Sequence, residues 1–501
     1  MIRKGVIVSI LLPVFLFFNH LQSFSQDNVT ELTLEDAINI ARDQSPGALM
    51  AKHRFRSSYW QYRSYKAAYL PGLGLTGTLP DLNNSIRPYN DSEGTSYKYF
   101  QSLGAGAGAS VSQRIGLTGG RVSFNSFYDI SQNYESSSLT KQSVGIGLYN
   151  IRLVQPIFKY NPFKWEKKIE PMKYNEAKKK YLEDMEQVSM NATNYFFNLL
   201  LAQIQLKVAE INLANYDTIY KIAKGRYNLG TIAENELLQL ELEFLRAGST
   251  LEDAKINVEN VMYQFKSYLR IKDDQPVKLI PPDKITPFKV DPSKAIAEAR
   301  ANNSEALGFE RRLIEAEQSV NMAKMNGRFD MDLTASYGNT RNIVDDYIHP
   351  EYSYDNTNPE QVFNIKVSLP ILDWGVARGQ IKMAESQREL IQTQVEQDQI
   401  DFDQEIFLKI AKFNMQDEQV IISAKADTVA KKSYDITKAR YLIGKISVTD
   451  LNIAQENTNN STSKYINTLR TYWTSYFEIR KLTLFDFEKG LPITIDYTEL
   501  L

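Results

Sequence analysis

The sequence predicts a mainly α-helical chain with a smaller β-barrel portion of the transmembrane kind, built as an internal two-fold repeat. Three observations predict this. Two landmark pairs recur at one offset, very long helical stretches follow them, and short alternating apolar–polar runs lie in between.

The repeat comes first because it organises everything else. Arg226-Tyr227-Asn228-Leu229-Gly230-Thr231-Ile232 matches Arg440-Tyr441-Leu442-Ile443-Gly444-Lys445-Ile446, 214 residues later. Pro156-Ile157 and Pro370-Ile371 share that offset. Ala37-Ile38…Ala41-Arg42 matches Ala295-Ile296…Ala299-Arg300 at 258, so the first half carries 44 extra residues before Pro156. The halves are assigned to 26–286 and 287–490, followed by a tail at 491–501.

Each half reads helix, strands, long helix, turn, helix. The helices are expected near 34–68, 163–228 and 233–270, then near 292–326, 374–442 and 447–486. Phe197, Leu201, Ile204, Val208 and Ile211 have the seven-residue apolar spacing of a coiled coil. The long helices are read as unbroken. At 1.5 Å per residue each spans about 100 Å, and the two shorter helices end to end span roughly the same. A cylinder wall fits these lengths better than a compact globule.

The strands carry the membrane expectation. Phe329, Met331, Leu333, Ala335 and Tyr337 alternate with polar residues, as do Phe363, Ile365, Val367 and Leu369. Alternation sends the two sets to opposite faces of a sheet, which suits lipid outside and a lumen inside. In the first half Leu73, Leu75 and Leu79 begin a strand. Leu103 to Val111 alternates with Gly and Ser, Val122 and Phe124 follow a Gly-rich turn, and Val144, Ile146 and Leu148 lead toward Pro156. This is one hairpin more than the second half shows, and whether that hairpin within 103–130 joins the barrel wall stays open. Four or six strands do not close a barrel, and open edges are untenable in hydrocarbon, so the barrel is expected to be shared among copies.

Composition excludes several classes. Arg3 and Lys4, an apolar run from Gly5 to Phe18, and Ser23-Phe24-Ser25 read as a signal peptide over 1–25, which places the chain outside the cytoplasm. With no cysteine there is no disulfide framework and no lipid anchor through sulfur. The formal charge of −2 gives no electrostatic case for nucleic acid. No later run of about 18 apolar residues offers a helical span. Gly72-Leu73-Gly74-Leu75-Thr76-Gly77 has the letters of a dinucleotide fingerprint without the strand before and helix after. No catalytic, cofactor or metal residues stand out, so the chain is read as a non-enzyme.

Taken together, the doubled plan, the prolines at strand–helix junctions (Pro71, Pro156, Pro370) and the paired Arg-Tyr-x-x-Gly turns resemble the TolC family of outer-membrane efflux proteins, over nearly all of the mature chain. The resemblance implies a homotrimer with a shared barrel above a periplasmic helical tunnel. It implies contacts with outer-membrane lipid, a periplasmic adaptor (membrane fusion) protein and an inner-membrane RND or ABC transporter. The implied function is an outer-membrane exit duct of a tripartite efflux or type I secretion system, conducting passively. The alternative is a periplasmic coiled-coil adaptor or scaffold without a pore.

Gly230 and Gly444 read as helix C-termini that need a left-handed residue, with Ser447 or Thr449 available to cap the next helix. The resemblance adds a docking role for Arg226, Tyr227, Gly230, Arg440, Tyr441 and Gly444 at the periplasmic tips. It adds an entrance-gate role for Asp450, with Glu236 at the matching place in the first half. Lys445 stands beside Ile446, where the family's first-described member has a bracing arginine.

Overall fold

The computed structural model describes residues 30–501 apart from 92–93, 136, 273–275 and 283–284. The signal-peptide reading over 1–25 lies outside the described residues. The first half runs β1 (Thr30–Leu32), α1 (Leu34–Gln44), α2 (Pro46–Ala67), β2 (Gly72–Asp91), β3 (Gly94–Ile115), β4 (Gly120–Glu135), β5 (Ser138–Ile157), α3 (Pro162–Asn228), α4 (Glu234–Leu269) and β6 (Val277–Leu279). The second runs α5 (Pro292–Asn302), α6 (Ser304–Asn326), β7 (Asp330–Asp346), β8 (Tyr354–Ser368), α7 (Val376–Phe413), α8 (Gln416–Leu442), α9 (Val448–Thr483), β9 (Phe485–Asp486) and β10 (Leu491–Pro492).

Three helices expected as single pieces are broken, each at a polar residue whose side chain bonds backbone groups. Ser45 ends α1 and caps α2, accepting from the Ala48 amide at 3.2 Å, with Pro46 as the first helical residue. Asn303 does the same between α5 and α6, accepting from the Glu305 amide at 2.8 Å. At Asn414 the side chain pairs with both backbone groups of Val290, at 2.9 Å each, which pins the joint between α7 and α8. The reading of α3 as unbroken is right in outcome, although Pro171 lies inside it near its start.

The helices stack as a layer. Above, α2 packs on α3, α3 on α6 and α6 on α7; below, α4 packs on α3, α3 on α9 and α9 on α8. Between the levels sits the main core, where Phe196, Phe197, Leu199, Phe265, Ile406 and Ile410 are fully buried. Glu186, with no exposed side-chain surface, lies at its edge between two arginines. It accepts from Arg42 at 2.5 Å and from Arg480 Nε at 2.9 Å, and Arg480 also pairs with Asp486. Two cations around one buried carboxylate supply the partners that a buried charge requires. They tie α1, α3, α9 and β9 together.

All six long strands form one antiparallel sheet in the order β2-β3-β4-β5-β7-β8. The extra first-half hairpin therefore belongs to the same sheet, and β5 pairs with β7 from Lys141↔Asp346 to Ile157↔Met331, joining the two halves. Here the expected fold class needs correction. The long, joined helices are present, but no closed sheet, and so no transmembrane β-barrel portion, is found among the described residues. The sheet is open, and β2 and β8 have no strand partner on their outer sides among the described residues. Every residue of β8 from Tyr354 to Val367 is exposed. No described helix is long and apolar enough to cross a membrane. The conducting duct and the outer-membrane location rested on a closed wall, because unpaired strand edges are costly in hydrocarbon. The open sheet of this chain does not supply that wall, and both expectations are withdrawn with the barrel.

Candidate functional site: the paired hairpin tips

The far end of the layer from the sheet is made by two helix hairpins. At the first tip, the Thr231 amide donates to the Arg226 carbonyl at 2.9 Å and the Gly230 amide to the Tyr227 carbonyl at 2.8 Å, with Gly230 at φ +71°. At the second, the Lys445 amide donates to the Arg440 carbonyl at 3.0 Å and the Gly444 amide to the Tyr441 carbonyl at 2.8 Å, with Gly444 at φ +75°. This paired closure of the last carbonyls around a left-handed glycine explains both glycines without further assumption.

The helices that leave the tips differ. Ser447 starts α9 with a full capping box: its hydroxyl accepts from the Asp450 amide at 3.2 Å, and its own amide donates to Asp450 Oδ2 at 3.1 Å. Of the two expected caps, Ser447 is the one used. The Ser447 hydroxyl, then its amide, hold the Asp450 carboxyl below its usual range. Ala233 starts α4 with no side-chain cap. Glu236 stands in the first turn of α4, as Asp450 does in that of α9.

The two tips meet. Arg226 Nη2 donates to the Leu442 carbonyl at 2.5 Å, so the arginine of the first hairpin closes the end of α8. A small separate core fills the space between them: Ile219, Ala223, Leu240, Tyr441, Val448 and Leu451 are all buried. Tyr441 is 3 % exposed, whereas its counterpart Tyr227 is 39 % exposed. Burial, then the nearby Glu236 carboxylate, push the Tyr441 hydroxyl up. Arg440, Lys445 and Gly444 are exposed at the end of the second hairpin.

Higher on the hairpins lies a joint that motif reading missed. Tyr216 donates to Asn452 Oδ1 at 2.9 Å, Asn215 donates to the Tyr434 hydroxyl at 3.1 Å, and Lys438 donates to Asn215 Oδ1 at 2.6 Å. Burial pushes both tyrosines up to about 12. No group of three or more His, Cys, Asp or Glu among the described residues is placed to hold a metal ion.

Comparison with known proteins gives this architecture a context. No curated protein matches the chain. Solved structures share its fold along nearly its whole length. The Campylobacter jejuni CmeC outer membrane channel is 16% identical with a TM-score of 0.62, covering 93% of this chain and 88% of that one. The outer membrane protein VceC of Vibrio cholerae is 13% identical with a TM-score of 0.60, covering 92% and 97%. The open state of the Neisseria gonorrhoeae MtrE outer membrane channel is 13% identical with a TM-score of 0.59, covering 92% and 90%. Residues 295–483, most of the second repeat with its tip, match the family described as outer membrane efflux protein. With the doubled helix–strand plan and the paired glycine turns, this match ties the second repeat to the outer membrane efflux proteins, and the chain shares its fold with the outer membrane channels just named.

Proposed function

We propose that the chain is a coiled-coil scaffold of a tripartite export assembly, which docks on its partners through the joined hairpin tips. In this reading it is a non-enzymatic transport component that works with other proteins. The observation that carries the docking reading is the joined tip itself. Two turns of one design are locked together by Arg226 and a private core, 67 residues of helix away from the sheet. A rigid, solvated end on a long lever is suited to holding another protein.

In this reading Arg226, Tyr227, Gly230, Arg440, Tyr441 and Gly444 shape the docking face, while Glu236, Lys445 and Asp450 set its charge. The chain works as a homotrimer. Its partners are a periplasmic adaptor, met at the tips, and through it an inner-membrane transporter of RND or ABC type. The fold places Leu229 and Ile443 at the extreme ends, 79 % and 64 % exposed, where a partner helix would bury them.

A photo-cross-linking residue at Leu229 or Ile443, in cells that make the whole export system, tests this. The expected result is a cross-link to the adaptor that disappears in the double variant Gly230→Pro/Gly444→Pro, because proline cannot adopt a positive φ. Cross-links that form only from the sheet end, at Leu117, would overturn docking at the tips. Discrete single-channel steps from the purified chain in a planar bilayer would overturn the scaffold and restore a duct.

A further inference from the structure

The extra first-half hairpin, which docking at the tips does not use, lines a cleft at the junction of sheet and helices. Asn161 holds the β3–β4 turn over the start of α3. Its side-chain amide donates to the Gly116 and Leu117 carbonyls at 3.3 and 3.2 Å, while its oxygen accepts from the Phe163 amide at 3.0 Å. Gln155 accepts from the Thr118 hydroxyl at 2.7 Å and donates to the Thr118 carbonyl at 2.9 Å. Gly116 lies against the Tyr69 ring, which a side chain there would meet at 3.1 Å. The turn so fixed presents Leu117, 90 % exposed, on the rim of a cleft of about 1040 Å³.

The walls of this cleft are aromatic. Tyr62 and Tyr65 on α2, Tyr69 just past its end and Phe163 at the start of α3 form a row of rings with neighbouring centroids 5.2 to 6.0 Å apart. The rest of the lining is cationic: Lys66, Lys164, Lys167 and Lys168 contribute to it, and no Asp or Glu does. None of the four makes an ion pair among the described residues. Lys66 sits over the Tyr62 ring at 4.6 Å and Lys168 over the Trp165 ring at 5.5 Å. The carboxylates on the same turns of α3 are engaged elsewhere, Glu166 by Tyr69 at 3.3 Å and Glu170 by Lys173 at 3.1 Å. Lys164 stands in the first turn of α3, which holds no carboxylate, and so runs against the helix dipole. Its charge is not there to stabilise the helix. The repeat sharpens the point. At the offset of 214, Arg378, Ile381 and Lys382 stand where Lys164, Lys167 and Lys168 do, Lys382 is paired with Glu385 at 2.9 Å, and the second half has no counterpart of the β3–β4 hairpin. Unpaired cations gather where the extra hairpin closes the cleft.

We propose that this cleft is a binding site for an amphipathic organic anion, a molecule with an aromatic or other apolar body and a sulfonate, phosphate or carboxylate head. The body lies along the row of rings beside Leu117, and the head takes charge-assisted hydrogen bonds from the lysines of α3. Four cations without a counter-charge repel a cationic ligand and give a neutral one no advantage. The aromatic walls in turn favour an anion with a body over a bare ion. The cleft of about 670 Å³ toward the far end of the sheet differs on this point, since it sets Glu135 and Asp346 among Arg87, Lys98 and Lys141. The site is independent of docking at the tips, which lie at the opposite end of α3. A free amphiphile and a lipid head presented by a bilayer share the required chemistry.

Three probes titrated calorimetrically into the purified full-length chain test the site: naphthalene-1-sulfonate, its uncharged counterpart naphthalene-1-sulfonamide, and inorganic sulfate. The sulfonate should bind saturably, and the other two much more weakly. The variant Lys164→Gln/Lys167→Gln/Lys168→Gln should weaken the sulfonate by about tenfold and leave the sulfonamide unchanged. Leu117→Glu, an exposed substitution that sets a carboxylate on the rim, should weaken the sulfonate as well. Lys207→Gln/Lys221→Gln/Lys224→Gln removes the same charge lower on α3 and should change neither. No binding of the sulfonate, equal binding of sulfonate and sulfonamide, sulfate bound as tightly as the sulfonate, or equal losses in the two triple variants would each overturn the site. Sedimentation with mixed phosphatidylcholine and phosphatidylglycerol vesicles then separates the sources. Sedimentation that the sulfonate displaces and the first triple variant loses marks a lipid head as the ligand. Sulfonate binding without such sedimentation marks a free amphiphile. Sedimentation by a chain that does not bind the sulfonate is adsorption to a charged surface, and removes the cleft.

Discussion

The two hairpin tips share a turn and differ in almost everything around it. Both place a glycine at φ near +70° to +75° and close the last helical carbonyls in the same way. The second tip buries its tyrosine, caps its outgoing helix with Ser447 and Asp450, and has the end of α8 closed by an arginine from its neighbour. The first leaves Tyr227 half-exposed and starts α4 from an uncapped alanine. Duplication copied a backbone geometry, and the side chains have since divided the work. The second tip anchors, and the first is left open to contact.

The largest test of that division is the tyrosine pair. Truncating a fully buried aromatic side chain removes its packing and leaves a cavity, at about 3 kcal/mol. Tyr441→Ala should therefore cost roughly that much in the local opening energy of α8 and α9 near the tip, read by amide hydrogen exchange. Tyr227→Ala should cost under about 0.5 kcal/mol, as ordinary surface substitutions do. Equal losses at the two tips would erase the distinction between anchor and contact.

The glycines probe what the tips still share. Alanine at either position meets nothing closer than 4.0 Å, so only backbone strain opposes it. Gly230→Ala and Gly444→Ala should each raise local opening by about 1 to 2 kcal/mol, by the same amount within error. A much larger cost at Gly444 would mean that the Arg226 contact depends on that turn.

The caps come next. Ser447→Ala should destabilise the start of α9 by about 1 kcal/mol, and Ala233→Ser should stabilise the start of α4 by a similar amount. Exchange rates in the first turn of each helix report both. A Ser at 233 that leaves α4 unchanged would show that the first tip is held open by something other than the missing cap.

Much of this was legible in the residues, and the failures have physical causes. The common offset of 214 placed both tips and both long helices, because glycine at a left-handed C-terminus is demanded by backbone sterics alone. The breaks at Ser45-Pro46, Asn303 and Asn414 were missed because helical periodicity continues across them. The competing bonds at Asn414 come from Val290, far away in the chain. Identical Arg-Tyr letters could not reveal that Tyr441 is buried and Tyr227 exposed, since that depends on which hairpin lies behind. The Tyr216–Asn452 and Asn215–Tyr434 contacts were invisible for the same reason. The alternation in the strands was real, but it was read as a barrel, and alternation fixes which face a side chain takes without fixing closure.

The smallest expected effect concerns pH, and it separates the tips by sign. Asp450 accepts from Ser447 in the folded chain, which holds its carboxyl below the ordinary value of 3.8. A group with a depressed folded pKa contributes stability that is present above its unfolded pKa and is lost as pH falls through the folded one. Acidification below about pH 4 should therefore loosen the first turn of α9 and remove the advantage of Ser447. The first tip, which has no capping carboxylate, has no such contribution to lose. Amide exchange in α9 compared with α4 between pH 6 and pH 3, corrected for intrinsic rates, measures this directly. Ser447→Ala should abolish the difference. If the acid loosening of α9 persists in Ser447→Ala, the carboxylate acts through the helix dipole instead of through the cap, and the second tip owes its acid sensitivity to charge alone.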